Sequence, residues 1–227
     1  MEDFFFKYPQ KEDSLFNGID GDSHHISLNP YYSLTPLGDN WSIYISGYKD
    51  AADILVDKIL KNKSITNNLA FPTIFLYRNF IELSIKLITR YGYELYDIQE
   101  DYEQIHMLEK LWQDCRSIIE KKWAKEYFET LDIVENIIKE FSTIDSSSYE
   151  TRYPERKSIK PKKQNQDKKL IKTERNRIFT MEGISKINFK NMKEIMEKIN
   201  NYLGDMADAI SIELSKKREI ESEYNFD

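Results

Sequence analysis

Residues 71–91 read FPTIFLYRNFIELSIKLITRY, and this stretch decides the fold. Ile74, Phe75, Leu76, Phe80, Ile81, Leu83, Ile85, Leu87 and Ile88 surround a helix axis on nearly every side. A helix that is apolar all round belongs at the centre of a domain, with other helices packed about it. Pro72 suits its first turn, where no backbone N–H is needed. Arg78, Glu82 and Lys86 recur every four residues and so share one face. A charge carried into a core must find a partner, and the Arg78–Glu82 pair can supply one by itself.

The flanking segments supply the packing partners. Upstream, Asp39 or Asn40 suits the N-cap of a helix with Trp41, Tyr44, Ile45, Tyr48, Ala51, Ala52, Leu55, Val56 and Ile59 as its apolar stripe. Downstream, a third helix is expected over about residues 105–122, with His106 in its first turn and Leu108, Leu111, Trp112, Cys115, Ile118 and Ile119 as its stripe. A fourth is expected over about 125–142. A fifth begins near Asn188 and continues through Leu214, carrying Phe189, Met192, Ile195, Met196, Ile199, Tyr202, Leu203 and Met206. The expected fold is all-α: one antiparallel bundle of about five helices over residues 40–215. An irregular, aromatic-rich arm over 1–39 precedes it, a long basic loop over 151–187 interrupts it, and a charged tail over 216–227 is expected to fray. Strands are weakly indicated. The best candidate is a short hairpin around Ile171 and Ile178–Phe179.

Composition agrees with this class. The 227 residues are 40% apolar and 32% charged, with only 7 Gly and 6 Pro, which favours helices over sheets. No run approaches the ~20 apolar residues that span a bilayer. The start, MEDFFFKYPQ, makes a poor signal peptide, and the single Cys115 cannot form an internal disulfide, so a reducing cytoplasm is the expected setting. The net charge of −6 is unevenly spread. Residues 152–177 hold eleven bases, Arg156, Lys157, Lys160, Lys162 and Lys163 among them, against three acids; the segment is +8 and the rest −14. Such a segment attracts phosphate, or is simply a solvated loop.

Several kinds of chemistry have no motif here. The chain has no Gly-rich phosphate loop, nucleophile elbow, zinc-binding cysteine pair or HExxH. Cys115 falls on an apolar stripe and reads as core. His24 and His25, near Asp20 and Asp22, lack a second ligand cluster, so no metal is assigned. What remains is Arg78, Glu82 and His106, together with residues 144–154, IDSSSYETRYP, in which irregular polar residues sit between a helix and the basic loop.

The order of these motifs is YRNFIELSIKLI in the central helix, HMLEKLW at a helix start, then IDSSSYETRYP. In this order, over residues 41–203, the chain resembles the HEPN superfamily of nucleotide-binding helical bundles. It is similar in particular to bacterial HEPN-like proteins with a YR..IEL..K helix and a closing RYP. The resemblance implies an effector or toxin component of a bacterial defence or toxin–antitoxin system. It implies action on RNA, as a metal-independent endoribonuclease without cofactor, often as a homodimer. The family signature places a His four to six residues after an Arg. Arg78, Arg90, Arg116, Arg152, Arg156, Arg175 and Arg177 all lack one within seven positions. A composite site is the form the resemblance leaves open. In it Arg78 and Arg152 would stabilise phosphate charge, Glu82 would orient, and His106 would move a proton.

The same residues also read as a folding lock. Asp145 and the following serines, Ser148 among them, would turn the chain. Arg152 would pair with Glu82 or Asp145, Tyr153 would pack on the bundle, and Pro154 would stop the helix. In that case the chain is a non-catalytic helical subunit that binds a partner protein, with Phe4, Phe5 and Phe6 as anchors. Neither alternative involves a membrane.

Overall fold

The structure, a computed structural model, describes residues 40–99, 104–123, 128–145, 148–149, 151–158, 176–179 and 186–224. Backbone contacts divide the chain into Met1–Ser33 and Leu34–Asp227. The first unit lies outside the described residues, and with it the aromatic arm and the His24–His25 pair.

The second unit is an all-α bundle of five helices, with antiparallel and parallel neighbours: α1 (Trp41–Lys61), α2 (Thr66–Leu95), α3 (Leu108–Lys122), α4 (Phe128–Ile144) and α5 (Phe189–Tyr224). A 3-10 turn, Lys63–Ile65, joins α1 to α2, held by Asn62 Oδ1 accepting from Ser64 N at 3.1 Å. The central helix is α2, which packs against α1, α3 and α5. Ile74, Tyr77, Phe80, Ile81, Ile85 and Ile88 on it are sealed from solvent. Each such side chain contributes roughly 1.5–3 kcal/mol by leaving water. This helix starts earlier than its apolar run. Pro72 therefore lies inside it rather than in the first turn, and its ring removes the bond to the Asn68 carbonyl.

Helix directions follow from the cross-links. Asp53 Oδ1 accepts from Tyr77 Oη at 2.6 Å and Arg90 lies over the Trp41 ring, so α1 and α2 are antiparallel. Lys49 reaches Glu197 at 2.5 Å and Lys193 reaches Asp57 at 2.6 Å, so α5 opposes α1. Arg116 bridges Asp132 and Glu135 between α3 and α4, and the end of α4 meets the start of α3 at Arg78, so these two helices are opposed. The α2–α3 pair is different. His106 lies at Arg78 and Ile118 lies at Gly92, so α3 runs alongside α2 in the same direction. That direction places the start of α3 at the polar face of α2.

Three local expectations are corrected. His106 sits in an extended lead-in ahead of α3, not in its first turn, because its carbonyl is taken up by Arg78. The tail does not fray at Lys216. α5 continues to Tyr224, where Lys217 donates to Glu94 O and Leu95 O and meets Asp97 at 2.6 Å, and Arg218 meets Glu94. These cations cap the free carbonyls at the end of α2. The hairpin in the basic loop pairs β1 (Glu155–Ser158) with β2 (Asn176–Phe179), so Ile178–Phe179 is strand, and its partner follows Pro154 directly instead of lying near Ile171. Among the described residues no helix is long and apolar enough to cross a membrane.

Candidate functional site

The polar face of α2 is built by spacing. Glu82 lies one turn beyond Arg78 and one turn before Lys86, and it takes both: Arg78 Nη1 donates to Oε2 at 2.7 Å and Lys86 Nζ to Oε1 at 3.0 Å. All three side chains are buried. Arg78 is 0% exposed. Its Nη2 donates to the His106 carbonyl at 2.5 Å and its Nε to the Asp145 carbonyl at 3.1 Å, with the Asp145 carboxylate at 3.8 Å. One guanidinium therefore ties α2 to the lead-in of α3 and the end of α4. Every nitrogen of its fork is engaged, which leaves no open face for a phosphate.

His106 adds the outward-facing element. Its Nδ1 lies 2.8 Å from Glu82 Oε1, while its side chain is 59% exposed. With the carboxylate accepting at Nδ1, the neutral ring carries its proton there and presents Nε2 as a base. Nε2 has no partner among the described residues. Burial pushes the Glu82 carboxyl up, but hydrogen bonds from His106, Arg78 and Lys86 outweigh it and hold it below the ordinary carboxylate range. Glu82 thus remains a carboxylate able to orient the imidazole and stabilise its charged form.

The turn after α4 is anchored to the same guanidinium. The buried Asp145 carboxylate accepts from Thr151 N at 3.3 Å and from Thr151 Oγ1. Ser148, at φ 62, holds a backbone conformation rare for a side-chain-bearing residue. The Tyr149 carbonyl accepts from Arg152 N at 3.1 Å and Tyr153 N at 3.2 Å. Arg152 Nε donates to Ser148 O, and its side chain is exposed.

The structure brings together Arg78, Glu82 and His106 but not Arg152. The expected pairing of Arg152 with Glu82 or Asp145 is not formed: the Ser148 carbonyl takes the Arg152 Nε, Arg78, Lys86 and His106 occupy Glu82, and Thr151 holds the Asp145 carboxylate. Tyr153 does not pack into the bundle. It is 49% exposed, and its ring centroid lies 4.6 Å from that of Tyr149. Pro154 is exposed between this turn and β1. Arg156 and Lys157 lie on β1, where Lys157 is the register partner of Arg177; Lys160, Lys162 and Lys163 lie outside the described residues. Two residues here escaped the sequence reading as site members. Tyr149 was signalled only by its four-residue spacing from Tyr153. Thr151 had no signal at all, since its bond to Asp145 depends on the turn closing.

Cys115 is buried against α2, and burial pushes its thiol up, as for a packing residue. A second polar cluster, Lys49, Asp53, Tyr77 and Glu197, joins α1, α2 and α5. Burial lowers the Lys49 ammonium, but its bonds to Glu197 and Asp53 outweigh this and hold it raised, so the cluster acts as an interhelical staple. Among the described residues no group of three or more His, Cys, Asp or Glu side chains could hold a metal ion. No family profile, curated protein or solved structure matches this chain.

Proposed function

We propose that this protein is a HEPN-like, RNA-directed component of a bacterial defence or toxin–antitoxin system, and that it cleaves RNA through His106. The observation that carries this reading is an exposed imidazole whose Nδ1 is held by a buried carboxylate. That is the arrangement a general base needs: one nitrogen oriented, the other facing solvent. In the proposed reaction His106 Nε2 takes the proton of a ribose 2′-hydroxyl. The 2′-oxygen then bonds to phosphorus, the bond from phosphorus to the 5′-oxygen breaks, that oxygen takes a proton from water as the imidazolium returns its proton to solvent, and the products are a 2′,3′-cyclic phosphate and a free 5′-hydroxyl. Glu82 stabilises the imidazolium. Arg78 is a positioning residue, fixing the His106 backbone and Glu82 together. Arg152 and the +8 segment are the phosphate contacts. The proposed setting is the cytoplasm, as a homodimer or with a partner protein.

The test is to incubate purified protein with labelled RNA in chelator and analyse the ends formed. Cyclic phosphate ends that disappear in His106→Ala, with thermal unfolding near that of the parent, support the reading. Cleavage that persists in His106→Ala refutes it. The full engagement of Arg78, together with the exposed Ile43, Tyr44, Ile54 and Leu60 of α1, favours a second reading: a non-catalytic subunit docked on a partner protein. Absence of RNA cleavage by the parent, with a stable complex captured from its native host, selects that reading.

A further inference from the structure

We propose that Tyr149, Arg152 and Tyr153 form a stacking platform for the bases of single-stranded RNA, a role that rests on the RNA-directed reading and extends it to how substrate is held. The rings of Tyr149 and Tyr153 lie 4.6 Å apart at 34°, and they remain 37% and 49% exposed. Each aromatic ring has a π-face that any base can cover, and a neighbouring cation adds to the attraction. The exposed Arg152 lies between them in sequence and brings a planar fork suited to a phosphate.

The pair is held firmly. The Tyr149 carbonyl accepts from both Arg152 N and Tyr153 N, Arg152 Nε is tied to Ser148 O, and Thr151 is tied to the buried Asp145. Asp145 in turn contacts Arg78, the guanidinium that also holds the His106 carbonyl. The platform and the proposed base are therefore mounted on one buried group, and binding a nucleotide there orders little that is still free. The positive φ of Ser148 is a backbone conformation rare for a residue with a side chain. Immediately after Pro154 the chain enters β1 with Arg156 and Lys157, with Arg177 opposite on β2, so stacking groups lead directly into cationic ones. A folded duplex hides its base faces, and free phosphate has none. The combination fits a single strand.

The experiment measures fluorescence anisotropy of the full chain with 5′-labelled 2′-O-methyl 12-mers, which lack the 2′-hydroxyl and are not cleaved. Oligoadenylate, oligouridylate and a duplex of the same length are compared across a salt series. Tyr153→Ala and Tyr149→Ala are each expected to weaken single-strand binding about 5- to 150-fold, with Tyr153→Phe close to the parent. The slope of affinity against salt stays that of the parent in these variants, whereas Arg156→Gln reduces it by about 0.7. Both side chains are exposed, so circular dichroism should show the variants folded. Parent-like single-strand affinity in both alanine variants overturns the platform and leaves the RNA reading standing. No binding of any oligonucleotide by the parent at low salt overturns both. Loss of self-association in Tyr153→Ala with RNA affinity retained makes the ring pair a contact between copies, which also overturns the platform.

Discussion

Replacing Arg78 with Met separates a structural guanidinium from a chemical one. Met keeps much of the stem volume and removes all the donors. The Asp145 carbonyl, the His106 carbonyl and Glu82 Oε2 then each lose a bond they cannot replace with water. A buried acceptor left without a partner costs about 1–3 kcal/mol, and breaking a buried ion pair by removing one member costs about 3–5 kcal/mol. The three losses share one group and overlap, so we take about 4 kcal/mol for the whole. In a chain of this size each kcal/mol moves Tm by about 2–4 °C, which gives a fall of about 8–16 °C. Thermal unfolding followed by circular dichroism and calorimetry at pH 7 reads this directly. Glu82→Gln, alone and combined with Arg78→Met, gives the coupling, expected between about 0.5 and 3 kcal/mol. Arg78→Lys should recover only part of the loss, since an ammonium cannot reach three acceptors in one plane. An unchanged Tm in Arg78→Met, with RNA cleavage abolished, would refute the assignment of Arg78 as the lock between three helices.

Three further outcomes test other parts of the structure. Because the folded Glu82 carboxyl titrates below its unfolded value of 4.5, the stability it brings is present above that pH and is lost as pH falls through the lower, folded value. Acid unfolding of Glu82→Gln should therefore start from a lower plateau at neutral pH and fall less steeply below pH 4.5. Gly92→Ala would ordinarily favour a helix by up to about 1 kcal/mol. Here the added Cβ would overlap Ile118 Cγ2 and lie 2.9 Å from its Cγ1, so a loss of about 1–3 kcal/mol in urea unfolding is expected, partly restored by Ile118→Ala. Lys217→Met releases the carbonyls of Glu94 and Leu95, and amide exchange over residues 94–98 should quicken while the core of α2 stays protected.

Periodicity made the helices legible because each must bury one stripe, and a stripe shows in sequence spacing alone. The all-round apolar run at 71–91 marked the central helix for the same reason. The Arg78–Glu82–Lys86 ladder was equally visible, since residues four apart on a helix are neighbours whatever surrounds them. Helix ends were less legible. The start of α2 before Pro72 rests on a local turn, where Thr66 Oγ1 donates to Lys63 O, and the extension of α5 past Lys216 depends on bonds to the end of α2 and to Asp97.

Sequence by itself determined the helical class, the burial of α2 and the local pairing of Arg78 with Glu82. Tertiary structure decided that His106 would face Glu82, that Arg78 would be sealed, and that Tyr149 would meet Tyr153 in the open. Each of these depends on contacts between elements far apart in sequence: His106 meets Arg78 and Glu82 of α2, and the Asp145 carbonyl at the end of α4 meets the same guanidinium. Spacing along a chain encodes neighbours on one element. It carries no record of which loop closes over which buried charge, because that is settled by packing and hydrogen-bond satisfaction across the whole bundle.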